Sequence, residues 1–358
     1  LLADTKAQQA AVAAKVPYDV AYAVVDGTAA NARVQKRGEP TRLGDEVPRH
    51  FPEILGGQTL PANSTGSGRR ELADWLTAPS NPLTARVIVN RLWHYHFGHG
   101  LVATTSDFGL RGRKPSNADL LDYLAGKLMA EGWSLKALHK EIVLSRAYQM
   151  SSAANPRGGE IDPANDLVWR FDRQRLDAES IRDAMLAISG ALDRSVGGAH
   201  PFPAPGSVGF TQHTPFKAVY DSRLRSVYLM TQRLQRHPFL ALFDGADPNT
   251  STPERTSTIT PTQALFMMND SFVHEQSDLT AARLLAATPD DSRRLELLYQ
   301  LAFARAPDAR EAQQAAEFVA RYAAGLQTAG VPADQQQRGS WAALCRVIVT
   351  SNEFFYLD

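Results

Sequence analysis

The chain has 358 residues, 44% of them hydrophobic and 21% charged, which is ordinary globular composition with more length than one core usually supports, so two subdomains are expected. Lys plus Arg equals Asp plus Glu at 38 each, leaving no long-range field to attract nucleic acid or an anionic membrane surface. A single cysteine, Cys345, excludes an internal disulfide, a four-cysteine zinc site, an iron–sulfur cluster and a C-x-x-C-H haem attachment, and no apolar run approaches the roughly 20 residues of a membrane span.

The first residue is Leu1, with no charged n-region and apolar stretch after it, so the chain is expected to be a fragment of a longer protein. Residues 3–15 are rich in Ala and Gln and stop at Pro17, as the end of an upstream helix would. YDVAYAVVDG (18–27) and ARVQKRG (32–38) read as two β segments around the turn-forming pair Asp26-Gly27. Gly, Pro, Ser and Asn then recur to PANSTGSG, which suits a linker ending near residue 68.

From Arg69 the period changes to that of a helix. RRELADWLTA places Leu72, Trp75 and Leu76 on one stripe, and the next helix carries Val89, Leu92, Trp93 and Phe97. Ser116 or Asn117 is placed to cap a third helix with Gly132 just past its end, and Ser134 to cap a fourth over WSLKALHKEIVLSRAYQM. DAESIRDAMLAISGAL is a further helix with acidic residues in its first turn. Residues 193–222 read as a long irregular excursion, RSVYLMTQR as either a buried strand or a short helix, and 244–260 as polar and turn-rich. Amphipathic helices run from Pro261 to the end. ALHKEIVLSRAY (137–148) echoes ALCRVIVTSNEF (343–354) at a constant offset, which predicts two helices ending in similar local packing.

Several polar groups invite a functional reading. Arg86, Asn90 and Arg91 on one helix, with Asp107 and Asp122 after it, form either an anion-binding cleft or a buried polar brace. His94, His96 and His99 are candidate metal ligands; i and i+2 positions point about 200° apart on a helix, which leaves His96 and His99 as the pair able to meet. Asp107-Phe108-Gly109 matches the magnesium-binding tripeptide of kinases but lacks the other kinase elements, so it reads as a loop brace. Arg170, Arg173, Arg175, Glu179, Arg182 and Asp183 have the spacing for mutual ion pairs. Asp244, Asp247 and Asn249 are oxygen-rich without EF-hand spacing. Ser67, Ser145 and Ser226 have no hydrolase context, no H-E-x-x-H is present, and Trp75, Trp93, Trp133, Trp169 and Trp341 fall on apolar stripes that suit a core.

NRLWHYHFGHGLVATTSDFG (90–109), GWSLKALHKEIVLSRAYQMSS, DPANDLVWRFDRQRLDAESIRDAMLAISGALD, PERTSTITPTQALFMMND and SNEFFYLD together carry a family likeness. The chain resembles a bacterial domain family of unknown function that forms the C-terminal part of large planctomycete-type proteins with a c-type cytochrome domain nearer the N-terminus. The resemblance implies export to an extracytoplasmic, periplasmic compartment and haem c in an upstream region of the parent protein, with no cofactor expected in these residues, and it brings no reaction, catalytic residue or ligand to carry over. LYQLAFARAPDAREAQQAAEFV is similar to helical linker-type modules of bacterial surface and scaffold proteins.

The expected architecture is mainly α, a multi-helix bundle-like arrangement with a minor β element near the N-terminus and long irregular loops. Its parts are the end of an upstream helix (1–16), short β segments and linker (17–68), a first helical group (69–192), an irregular middle segment packed between the groups (193–260) and a C-terminal helical group (261–358). The leading functional expectation is a non-catalytic scaffold module whose partners are proteins: the upstream part of its own chain or neighbouring subunits. The competing expectation is an enzyme acting on a carbohydrate or other polymer through a polar cleft at Arg86, Asn90, Arg91 and Asp107.

Overall fold

The computed structural model describes residues 2–13, 24–61, 64, 66–198, 222–233 and 235–357. Helix α1 (Leu2–Ala13) comes first. Of the two expected β segments, the first is not strand over 24–27 and its residues 18–23 lie outside the described residues, while the second, 32–38, holds a strand. Strand β1 (Ala32–Gln35) pairs antiparallel with β2 (Leu43–Val47), inside the stretch expected to be a linker. The hairpin is closed locally: Arg37 and Gly38 take positive φ, and the Lys36 amide bonds the Arg42 carbonyl at 2.9 Å. A short loop costs little closure entropy, which favours this pairing over a more distant one. Asp26, expected in a turn, instead accepts from the Ser67 amide and the Arg69 guanidinium at the start of α2 (Arg69–Thr77), and the Ser67 hydroxyl, then its amide, then Arg69 hold the Asp26 carboxyl below the usual range. On α2, Trp75 stacks on Phe51 with ring centres 4.7 Å apart, while Leu72 and Leu76 stay exposed.

The residues fall into two compact units, Leu1–Arg86 and Val87–Asp358. Helix α3 (Thr84–Phe97) is followed by α4 (Ala118–Ala130) and α5 (Leu135–Leu144). Asn117 caps α4 by accepting from the Leu120 amide, and Ser134 caps α5 by accepting from Ala137. Val89, Leu92, Trp93 and Phe97 of α3 are buried, as are Leu121, Leu124 and Leu128 of α4 and Leu138 and Ile142 of α5. The i, i+3, i+4 spacing of these residues is what makes each helix bury one face. Helix α5 is shorter than its apolar pattern, because Ser145 turns back on it: its amide and its hydroxyl both donate to the Ile142 carbonyl.

After α6 (Pro156–Ile161) and a two-residue strand β3 (Gln174–Arg175), α7 (Ala178–Ser189) forms the spine of the second half. Asp177 caps its start, and Gly190, at φ 79°, ends it in the left-handed conformation that glycine takes without strain. Residues 199–221, most of the expected irregular excursion, lie outside the described residues; RSVYLM forms a single turn of tight helix over Ser226–Tyr228. Helices α8 (Pro238–Leu242) and α9 (Pro261–Asn269) follow, and Phe239, Phe243, Met267 and Val273 pack with Ile181 and Met185 of α7 in one cluster.

Helix α10 (Ser271–Ala287) runs from that cluster into a second one shared with α11 (Asp291–Phe303), α12 (Ala309–Thr328) and α13 (Ala333–Val349). Leu284, Leu298, Trp341, Leu344 and Cys345 form its centre. The run read as one helix over 340–355 breaks at Thr350 and resumes as α14 (Asn352–Phe355), after which β4 (Tyr356–Leu357) pairs with β3. The break repeats the end of α5: the Ser351 amide and hydroxyl both donate to the Ile348 carbonyl, as Ser145 does to Ile142. The sequence echo thus corresponds to one shared way of stopping a helix. The protein is mainly helical, and no helix among the described residues is long and apolar enough to cross a membrane.

Candidate functional site

The β3–β4 pair is the floor of a cleft of about 500 Å³, lined by both polar and apolar side chains, within the larger unit. Its walls come from the end of α3, the start of α7, the Phe243-Asp244 corner and the segment Arg255–Ser257. Sequence alone treated His94, Arg173, Arg175 and Asp244 as members of three separate motifs; here they line one cavity.

Arg175 is the organising side chain. Its Nη1 lies 3.3 Å from Asp244 Oδ2 and 3.5 Å from Ser257 Oγ, and its Nη2 donates to Gln263 Oε1 at 3.2 Å. Asp244 is held in turn by the Thr258 amide and hydroxyl, each at 2.8 Å, and its backbone sits at φ 64°, a conformation that Asp tolerates better than most residues. Gln263 completes the capping box of α9 and also donates to the Leu242 carbonyl at 2.9 Å. With side chains only 9% and 16% exposed, Arg175 and Asp244 form a pre-set ion pair whose remaining bonds are satisfied by the fold.

Further partners of the arginine cluster also come from distant segments, against the expectation of pairing within it. Glu179 accepts from Arg255 at 2.8 Å, and Arg182 donates to the carbonyls of Ser222 and Leu224 and to Ser226 Oγ. Helix α7 is packed on several sides, so its charged side chains meet neighbouring elements before they meet each other. Arg182–Asp183, at 3.7 Å, and Arg170–Asp172, at 3.3 Å, are two local pairs that do form. Burial lowers the affinity of the Arg182 guanidinium for its proton, with Asp183 opposing.

The histidines separate. His96 Nε2 meets His139 Nδ1 at 2.7 Å, linking α3 to α5, whereas His99 Nδ1 lies 3.8 Å from Asp172. His94 reaches the cleft, where burial pushes its pKa down, Glu254 opposes and His99 adds to the fall. Burial, followed by His139, likewise lowers His96. Among the described residues no group of three His, Cys, Asp or Glu side chains is placed to hold a metal ion. Asp247 accepts from the Asn249 amide at 2.8 Å, and Asn249 donates to the Arg233 carbonyl, so these two close their own loop while Asp244 serves Arg175.

The residues read as a first polar cleft or brace are placed as follows. Asn90 is fully buried and grips Val102 with both ends of its amide: Nδ2 donates to the carbonyl at 3.0 Å and Oδ1 accepts from the amide at 2.8 Å. This brace holds the loop after α3. Arg91 is exposed on the far side of the helix, and Asp122 is exposed on α4. Asp107 accepts from the Gly109 amide at 2.9 Å, and its carbonyl accepts from the Thr104 hydroxyl at 2.7 Å, which makes the Asp-Phe-Gly tripeptide a loop closure. Arg86 donates to the Pro82 carbonyl at 2.6 Å.

Arg255, Thr256, Ser257 and His139 lie in the segments that carry the family likeness, but nothing in their spacing singled them out. Gln263 carried one signal, the T-x-x-Q spacing of a capping box, which reveals its bond to Thr260 but not its bond to Arg175.

No curated protein and no solved structure shows a significant match to this chain. A family model does match over residues 68–319, covering most of the helical region and all the segments that build the cleft walls except β4. The chain belongs to the PSD1 family, described as protein of unknown function (DUF1553).

Proposed function

We propose that this chain is a non-catalytic, extracytoplasmic interaction module that accompanies a c-type cytochrome in its parent protein or complex. One observation carries the reading: the conspicuous polar side chains are used to fix the shape of the fold. Asn90 grips Val102, Arg182 holds the chain at Ser222–Ser226, and Arg175 ties together Asp244 and Gln263. Side chains whose hydrogen bonds are committed to the fold in this way present a pre-ordered surface to a partner.

The cytochrome association rests on the family-like segments over 90–109 and 133–192. The chain does not itself fit covalent haem attachment, which needs two cysteines, since Cys345 is alone and fully buried. The haem would belong to an upstream region of the parent protein, with this module docking against that region or against neighbouring subunits.

The test is affinity isolation of the intact parent protein from native membrane and soluble extracts, followed by haem staining and mass spectrometry. A stable haem-containing assembly is expected. Recovery of a solitary, haem-free protein from both extracts would overturn the proposal.

A further inference from the structure

We infer that the cleft over the β3–β4 pair is a binding site for an uncharged saccharide. The inference is independent of the cytochrome-associated reading, since it concerns the chain alone.

The charges of the cleft cancel. Arg175 is paired with Asp244, and Arg255 with Glu179, while exposed Arg173 and exposed Asp177 both stand at the lining. The one histidine that lines it, His94, is held toward its neutral form by burial. A site without excess charge gains little from an ionic ligand, because Arg175 and Arg255 already have carboxylates within 3.3 Å and 2.8 Å.

What the cleft does offer is hydroxyl chemistry. Ser180, Thr256 and Ser257 are exposed, come from two different segments and line the cavity; a hydroxyl both donates and accepts, so it matches a ligand that also carries hydroxyls. The Ser180 and Thr256 hydroxyls bond to no other described residue, which leaves them to water or a ligand. Tyr95, on the last turns of α3, lines the same cavity while 65% exposed, and Tyr356 of β4 lines it half-buried. Aromatic rings with a polar tip pack against the C–H faces of a sugar ring while their hydroxyls reach its edge.

Pre-organisation favours the same conclusion. Asp244 and Arg175 are fixed by bonds to Thr258 and Gln263, and Gln174 is fixed by donating to the His96 carbonyl at 2.8 Å, so the floor does not have to be ordered when a ligand arrives. The cavity volume of about 500 Å³ lies in the range of small-ligand sites and admits more than a single sugar ring.

The experiment is calorimetric titration of the 358-residue chain with cellotetraose, xylotetraose, mannotetraose and chitotetraose, with tetragalacturonate as the anionic comparison at low and high salt. At least one neutral oligosaccharide is expected to bind. Tyr95→Ala and Thr256→Ala, both at exposed positions, should each weaken that binding about tenfold or more with the melting temperature unchanged. Binding of tetragalacturonate alone, abolished by salt, would make the ligand a carboxylate and overturn the inference. So would a failure of all five to bind, or binding that both substitutions leave intact.

Discussion

Replacing Asn90 tests whether the polar residues of α3 act as a brace. Asn90 is fully buried, Val102 is 2% exposed, and the two bonds between them satisfy a backbone donor and a backbone acceptor that water does not reach. Each orphaned group costs about 1–3 kcal/mol, so with two of them Asn90→Ala should destabilise the fold by about 2–6 kcal/mol. Asn90→Asp keeps an acceptor for the Val102 amide but faces the Val102 carbonyl with oxygen and buries a charge, so it should cost at least as much. Gly100 supplies an internal check. A Cβ there would stand 2.6 Å from the Val102 carbonyl oxygen and 2.7 and 2.9 Å from the Asn90 amide atoms. Gly100→Ala should therefore be destabilising alone and less so when Asn90 is already Ala, since one of its two clashes is gone. Urea unfolding followed by tryptophan fluorescence, with Trp93 on the same helix, measures all four proteins. A cost below about 0.5 kcal/mol for Asn90→Ala, or strict additivity of the pair, would refute the brace.

Arg182→Met removes the donors to the Ser222 and Leu224 carbonyls and to Ser226, and should cost about 2–4 kcal/mol in the same assay; a neutral result would mean that water replaces the guanidinium there. The Cys345 thiol is pushed up to about 12 by burial, so a thiol reagent at neutral pH should leave the native chain unlabelled and label it fully in denaturant; rapid labelling of the native chain would contradict that burial. His94, His96 and His237 are all held below their ordinary value of 6.5, chiefly by burial. The unfolded chain then binds more protons below that pH, so their contribution is fully present above it and is lost as the pH falls through 6.5 toward each folded-state value. The urea midpoint should drop between about pH 7.5 and 5.5, before most carboxylates titrate, and a flat or rising midpoint would count against it. Ser351→Ala removes the hydroxyl bond to Ile348 and should cost about 0.5–1.5 kcal/mol, and Ser145→Ala, which also loses the bond from the Tyr148 amide, should cost more; an equal or smaller cost at Ser145 would mean that the Tyr148 bond contributes nothing.

Helices were legible in the sequence because their causes are local. Apolar spacing placed α2 to α5, α7 and α9 to α13 near their observed positions, and the caps at Asn117, Ser134 and Asp177 need only the amides two or three residues onward. The shared stop at Ser145 and Ser351 was visible as an echo for the same reason: the hydroxyl reaches back a single turn. Pairings between segments remote in sequence left no comparable trace. Nothing in YDVAYAVVDG indicates that β1 would pair with β2, or that Asp26 would serve Ser67 and Arg69.

The candidate cleft shows the same division more sharply. Composition and residue type alone marked His94, Arg173, Arg175 and Asp244 as conspicuous, since charged and imidazole groups among apolar stripes need partners. Which partners they take was decided by tertiary structure: Arg175 with Asp244 and Gln263, Glu179 with Arg255, His96 with His139. A helix period tells which side of a helix is buried, but the identity of the facing segment depends on how the loops return the chain, and a β pair as short as Gln174–Arg175 with Tyr356–Leu357 is too small to hold without packing beside it.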